Sequence, residues 1–154
     1  MMKKIIITIV VLAALGFGYW TISPFFIDKR VSEELDISAE SEGAQPVLVL
    51  RGSFAGFDRI HTGSGNVSVI QAGEKYIVRF EENFDVANGP DLYVGFGKDG
   101  EYIKGSEIGE LKGNIGSQNY EVPSGININD FDEVWIWCKA FSVGFAKAAL
   151  TPSI

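Results

Sequence analysis

Val134-Trp135-Ile136-Trp137-Cys138-Lys139-Ala140-Phe141-Ser142-Val143-Gly144-Phe145 changes phase at every second residue over its first half. Val134, Ile136 and Cys138 fall in one phase; Trp135, Trp137 and Lys139 fall in the other. Successive side chains of a strand point to opposite faces, so this period marks a half-buried strand with Cys138 on the core side. Cys138 is also the one cysteine of the chain, which rules out an internal disulfide. Its thiol either fills core space as a small hydrophobe or has chemistry of its own.

The same period extends outward. Val67 and Val69 alternate with Asn66 and Ser68; Tyr76, Val78 and Phe80 with Lys75, Arg79 and Glu81; Leu92, Val94 and Phe96 with Asp91, Tyr93 and Gly95. Turn residues separate these runs at Ala72-Gly73, Asn88-Gly89-Pro90, Asp99-Gly100 and Pro123-Ser124-Gly125. Asp99-Gly100 predicts a tight hairpin, because glycine supplies the positive φ such turns need. Residues 105–118 carry Gly105, Gly109, Gly113 and Gly116 and read as a long structured loop. No helical period of useful length occurs after residue 46. The fold class predicted is all-β, an antiparallel β-sandwich or barrel-like domain, preceded by one N-terminal transmembrane helix.

That helix is read from Ile5 to Ile27, an almost uninterrupted apolar run behind Met1-Met2-Lys3-Lys4. At about 1.5 Å per residue it reaches ~35 Å, enough for a hydrocarbon core of ~30 Å. A cleaved signal peptide would have a shorter apolar core and a small-residue cleavage site. The run reads instead as a retained signal-anchor, with Tyr19, Trp20, Phe25 and Phe26 at the outer interface. Lys3 and Lys4 nearly balance Lys29 and Arg30; the α-amino group and short flank tip the orientation towards a C-terminal domain outside the cytoplasm. The expected organisation is an anchor over 1–27, an acidic connector over 28–46 and a β domain over 47–154. Serine, glutamate, Gly43 and Pro46 favour a flexible tether for the connector, with Val31, Leu35 and Ile37 making at most one amphipathic turn.

The chain's net charge is −7. Residues 28–46 contribute two basic and six acidic side chains, and residues 47–154 nine basic and fourteen acidic. With no basic stripe anywhere, nucleic acid is not an expected partner. Hydrolytic signatures are missing: there is no G-x-S-x-G elbow, no H-E-x-x-H and no histidine besides His61. No stand-alone enzyme is read here. Asn88-Gly89-Pro90-Asp91 reads as a turn whose polar side chains bond nearby amides. Asn129-Asp130-Phe131-Asp132-Glu133 gathers acids of the kind that bind calcium, without the spacing of an EF-hand loop. Trp135 and Trp137 form a stacking platform for a sugar or a partner if their face is open, and core if it is covered, with at least one expected in the core.

From Gly52 to Leu150 several short motifs occur in a fixed order: His61-Thr-Gly-Ser-Gly65, Asn88-Gly-Pro-Asp-Leu-Tyr-Val94, Leu111-Lys-Gly-Asn114, Gln118-Asn-Tyr120 and Ile136-Trp-Cys-Lys139 with Phe141 and Phe145. The combination resembles the DM-thirteen domain, a small extracytoplasmic β-rich module. The resemblance implies a role in electron transfer at cell surfaces. It also implies that Cys138 acts as a naked redox thiol or as a ligand to a prosthetic group such as haem. No DOMON or cytochrome segment, found beside this domain in multidomain animal members, accompanies it here. Since thiolate and imidazole are both axial ligands of haem iron, Cys138 with His61 would be the haem pair. A structural zinc site is not expected, because two such ligands fall short of four. The predicted function is a membrane-anchored redox accessory centred on Cys138, with a redox or cell-surface protein as partner. Its rival is a non-catalytic binding or adhesion module in which Cys138 is packing.

Overall fold

The computed structural model describes residues 2–22, 27–35 and 45–153. Phe25, Phe26, the side chain of Trp20 and residues 36–44 of the connector lie outside the described residues. Helix α1 spans Met2–Ile22. Its apolar stretch is long enough to cross a membrane, a property that a signal sequence shares. No acidic side chain interrupts it, and its described side chains make no core with the rest of the chain.

The domain is all-β. Its strands are β1 Val47–Gly56, β2 Gly63–Ser64, β3 Asn66–Ala72, β4 Lys75–Phe80, β5 Asp85–Val86, β6 Leu92–Lys98, β7 Glu101–Tyr102, β8 Gly109–Glu110, β9 Gln118–Glu121, β10 Glu133–Cys138, β11 Val143–Ala149 and β12 Thr151–Pro152. The main sheet runs in the order β7-β6-β10-β11-β1-β3-β4-β9, with β8 added to β6 and β12 to β1, while β2 and β5 make a separate ladder. Its strand pairs are antiparallel, and the sheet curls into a half-barrel.

The predicted alternation survives strand by strand. Val67 and Val69, Val78 and Phe80, Leu92, Val94 and Phe96, and Val134, Ile136 and Cys138 all enter one core on the concave side. Side chains of this size each contribute about 1.5–3 kcal/mol when fully buried, and this shared face is what curls the sheet around them. Asp99 and Gly100 both adopt positive φ (53° and 89°) at the β6–β7 hairpin, the conformation that a two-residue turn of the primed kind demands.

Two features lay out the end of the domain where Cys138 lies. β10 and β11 pair Ile136 with Ala146 and then Trp137 with Gly144, so Phe145 is the extra residue of a bulge. A bulge re-aims a side chain, and here Phe145 and Ala146 are both buried. The second feature is Asp91, whose φ of 58° turns the chain from Pro90 into β6. Aspartate tolerates that left-handed conformation better than most residues.

The acidic connector behaves differently from a free tether over its first half. Val31 N–H donates to Ile115 O (2.9 Å) and Glu33 N–H to Ser117 O (3.0 Å), in the parallel sense of the Arg30–Ile115 bridge. Residues 28–35 therefore form a strap along residues 115–119, which lead into β9, the last strand of the sheet path. An uncovered edge presents unpaired backbone groups, and the strap satisfies several of them. Val31, Glu33 and Leu35 are half-buried, whereas Ser32 and Glu34 are exposed. This is the period of a strand rather than of a flexible tether with at most one amphipathic turn at Val31, Leu35 and Ile37, the last of which lies outside the described residues.

Candidate functional site

Cys138 is the last residue of β10, paired to Leu92 of β6 and Val143 of β11. It is fully buried, at 0 % exposure. Its thiol donates to the carbonyl of Pro90 at 3.0 Å. The Asn88–Asp91 turn thus lies directly over the sulfur, tied down a second time where Lys139 N–H donates to Asp91 O (3.0 Å). Lys139 points to the opposite face, as its phase requires, and its ammonium sits 4.2 Å from the centre of the Tyr93 ring. It brings no positive charge to the sulfur.

His61 closes a small loop after β1. Its Nδ1 lies 2.8 Å from Asp58 Oδ2, and Asp58 also accepts from the backbone N–H groups of His61 and Ile60 (2.7 Å each). The His61 backbone amide, then its ring, then the Ile60 amide hold the Asp58 carboxyl down to about 2. The His61 ring packs edge-on against Phe145 at 4.7 Å. On its other side Phe145 abuts Gly89, where an added Cβ would stand only 2.5 Å from the Phe145 ring. Phe145 therefore fills the space between His61 and the turn that covers Cys138.

This arrangement does not suit haem held by Cys138 and His61. The thiol is enclosed and committed to Pro90, and the imidazole is committed to Asp58 and packs against the Phe145 ring. A cleft of about 670 Å³ beside the turn is lined by Asp28, Asn88, Gly89, Asp91, Glu110 and Asn114 among others, and by neither Cys138 nor His61.

The strap forms one side of that cleft. Asp28 Oδ1 accepts from Asn88 Nδ2 (2.8 Å) and from Asn114 Nδ2 (2.9 Å), while Asn114 Oδ1 accepts from Lys29 N–H (2.6 Å). Asn88 thus bonds the strap rather than its neighbouring amides, a partner invisible in the local sequence. Further along, Lys112 Nζ donates to both oxygens of Glu33 (2.8 Å), Asn119 N–H donates to Glu33 Oε2 (2.8 Å), and Arg79 Nη1 donates to Glu33 O (3.2 Å). Partial burial pushes the Glu33 carboxyl up, but these donors and the charges of Lys112 and Arg79 outweigh it and leave it below its ordinary value. Sequence reading missed Asp28 and Glu33. The alternation at 31, 33 and 35 was the available signal.

The convex face carries the aromatic pair. Trp135 is buried, its Nε1 donating to Glu133 Oε2 (2.9 Å), with Phe57 at 5.0 Å and Lys147 Nζ 5.3 Å over its ring. Trp137 is half-buried and stacks on Tyr102 at 4.4 Å with 4° between the planes. Both predicted conditions hold at once: one tryptophan is core, the other is partly open. The acids of residues 130–133 are drawn apart. Asp132 accepts from Asp99 N–H, and Glu133 serves Trp135 and Lys147. Among the described residues no three His, Cys, Asp or Glu side chains are grouped to hold a metal ion.

A family model described as electron transfer DM13 matches residues 56–150, from the end of β1 to the end of β11. No curated protein and no solved structure matches the chain.

Proposed function

Since this chain belongs to the electron transfer DM13 family, we propose that it is a membrane-anchored electron-transfer accessory, held outside the cytoplasm by α1, in which the Cys138 thiol carries the redox step. The observation that supports this reading is the cover over the sulfur. The Asn88–Asp91 turn, with a left-handed Asp91, takes the S–H of the fully buried Cys138 on Pro90 O. Lifting that turn exposes the thiol without breaking the strands on either side.

A lone thiol exchanges electrons by attack on a disulfide of another molecule. The Cys138 proton goes to water, the thiolate forms a new S–S bond to one sulfur of the partner disulfide, and the other sulfur leaves as a thiolate. The partner is half reduced and Cys138 is held as a mixed disulfide. A separate dithiol donor resolves it: one donor thiolate attacks the Cys138 sulfur and releases the partner's second sulfur as a thiolate. The donor's other thiol then closes the donor disulfide and frees Cys138, so two electrons pass from donor to partner and the chain needs no second cysteine of its own.

A second reading keeps Cys138 as packing and makes the domain a cell-surface binding module. It is favoured by the complete burial of the thiol and by the partly open Trp137–Tyr102 stack. Oxidised glutathione added to the folded full-length chain separates the two. Under the relay, a mixed disulfide forms at Cys138 much faster than the chain unfolds globally, and Pro90→Gly accelerates it. Adduct formation no faster than global unfolding, and unchanged by Pro90→Gly, would leave the binding module standing.

A further inference from the structure

The loops around the Cys138 end of the domain converge on the place where the chain arrives from α1. β1 ends there and leads into residues 57–62; β10 ends there and turns through 139–142; β6 begins there after 88–91. Three contacts gather these loops together: Ala87 N–H to Thr62 O (2.9 Å), Lys139 N–H to Asp91 O (3.0 Å) and the His61–Phe145 ring contact. Asp28 joins the same end through Asn88, and Ile27 lines the adjoining cleft with Asn88 and Asp91.

This end is apolar where the rest of the surface is acidic. Outside α1, the exposed large apolar side chains among the described residues are Ile27, Val47, Leu48, Phe57, Ile60, Ile103 and Phe141. Four of the seven lie here: Ile60 is 77 % exposed, Phe141 67 %, Ile27 57 % and Phe57 46 %. Ile60 and Phe141 sit on loop tips, Ile60 next to exposed Arg59 and Phe141 two residues after exposed Lys139. Residues 28–29, 57–62, 88–91 and 139–142 carry three cations (Lys29, Arg59, Lys139) and three anions (Asp28, Asp58, Asp91). The described residues 28–35 and 45–153 together have eleven cations and seventeen anions, so their excess of −6 lies away from this end.

We propose that the 57–62, 88–91 and 139–142 loops form a membrane-docking face, which seats Ile60 and Phe141 in the headgroup layer of the bilayer that holds α1. The proposal rests on α1 being a retained span, as proposed above. The arithmetic of the chain favours the lipid surface as the occupant. Ile22 ends the helix and Ile27 is already on the domain; five residue steps reach at most about 18 Å. The domain is therefore tethered by the end that carries its exposed apolar tips. Apolar side chains beside cations are the composition that settles at a lipid interface, and anionic headgroups repel the remaining surface more than this end. With this end down, the turn over Cys138 faces the bilayer, and the redox partner is reached in or at the membrane rather than from bulk solvent.

Full-length chain in phosphatidylcholine–phosphatidylglycerol nanodiscs tests this. An environment-sensitive fluorophore is attached at Ile60→Cys, at Phe141→Cys or, at the opposite end, at Ser124→Cys, each in a Cys138→Ser background. All three carriers are exposed side chains, and the readout does not depend on redox activity. Nitroxide-headgroup lipids should quench positions 60 and 141 by roughly twofold or more and leave 124 unaffected, as expected for side chains seated in the headgroup layer. Equal, weak quenching at all three sites on lipid-bound chain overturns the docking face and leaves the anchor intact. Chain that separates from the lipid overturns the anchor, and the docking face with it.

Discussion

At Cys138 the sulfur occupies a position that a hydrophobe of similar size would fill, yet it also has a hydrogen-bond acceptor. The two roles are separable by substitution. Cys138→Ala leaves Pro90 O without its donor and opens a small void, and should cost about 1–2 kcal/mol in urea unfolding. Cys138→Ser keeps a donor facing Pro90 O, so its cost should not exceed that of alanine, although a hydroxyl without an acceptor would cost more. A serine variant less stable than alanine would show that the bond to Pro90 contributes little. Gly97 makes a second residue-scale prediction. A Cβ there would collide with the Trp135 indole, whose Nε1 is bonded to Glu133, itself 2.6 Å from Lys147. Gly97→Ala should therefore displace Trp135 and cost roughly 1–3 kcal/mol, seen as a lower unfolding midpoint with a changed tryptophan emission maximum. Cys138's inward direction was legible from strand phase alone. Its bond to Pro90 was not, because the partner is 48 residues away in sequence and depends on how a left-handed Asp91 folds the turn.

The strap is the element whose reading changed most. Serine and glutamate over 28–46 signal a solvated tether, and composition cannot register that Arg79 of β4, Lys112 of the loop before β9 and Asn119 of β9 converge to receive Glu33. Glycine makes the docking sterically feasible: a Cβ at Gly113 would meet Lys29 O and approach Val31 Cγ2 at 2.6 Å. Gly113→Ala should release the strap while leaving the β-core folded. Hydrogen exchange reads this directly, with the Val31 and Glu33 amides losing protection and those of Val134 and Ile136 retaining it. Acid should do the same. The Glu33 carboxyl is lowered in the folded state from the usual 4.5, so its contribution is complete above the unfolded value and is lost as pH falls through the folded one. Protection at Val31 and Glu33 should fall as pH drops below the ordinary carboxylate value and through the lower folded one, before the core amides respond. Unchanged protection there would mean that the backbone pairing to Ile115 and Ser117 holds the strap without the carboxylate.

At the scale of the molecule, the strap sets where the soluble domain begins. A chain of residues 27–154 should be more stable than one of residues 47–154, by about 1–3 kcal/mol in urea. Each strap hydrogen bond is worth ~0.5–1.5 kcal/mol net, and ordering nine residues offsets much of that gain. Equal midpoints would reduce the strap to a decoration of the β9 edge. Neither the N-terminal apolar helix nor the β class needed a structure to be recognised. A continuous apolar run and a repeated period of two are local properties, written in neighbouring residues and dictated by strand and helix geometry. The motif order from His61 to Phe145 likewise carried the family, which the match over residues 56–150 bears out. Tertiary structure alone decided the rest. It packed the bulged Phe145 against His61, laid residues 28–35 of the acidic connector along residues 115–119, set the turn at Pro90 against the thiol, and gathered Ile60, Phe141 and Ile27 at one end. Each of these joins residues far apart in sequence, and such contacts depend on the curl and register of the whole sheet, which no local pattern encodes.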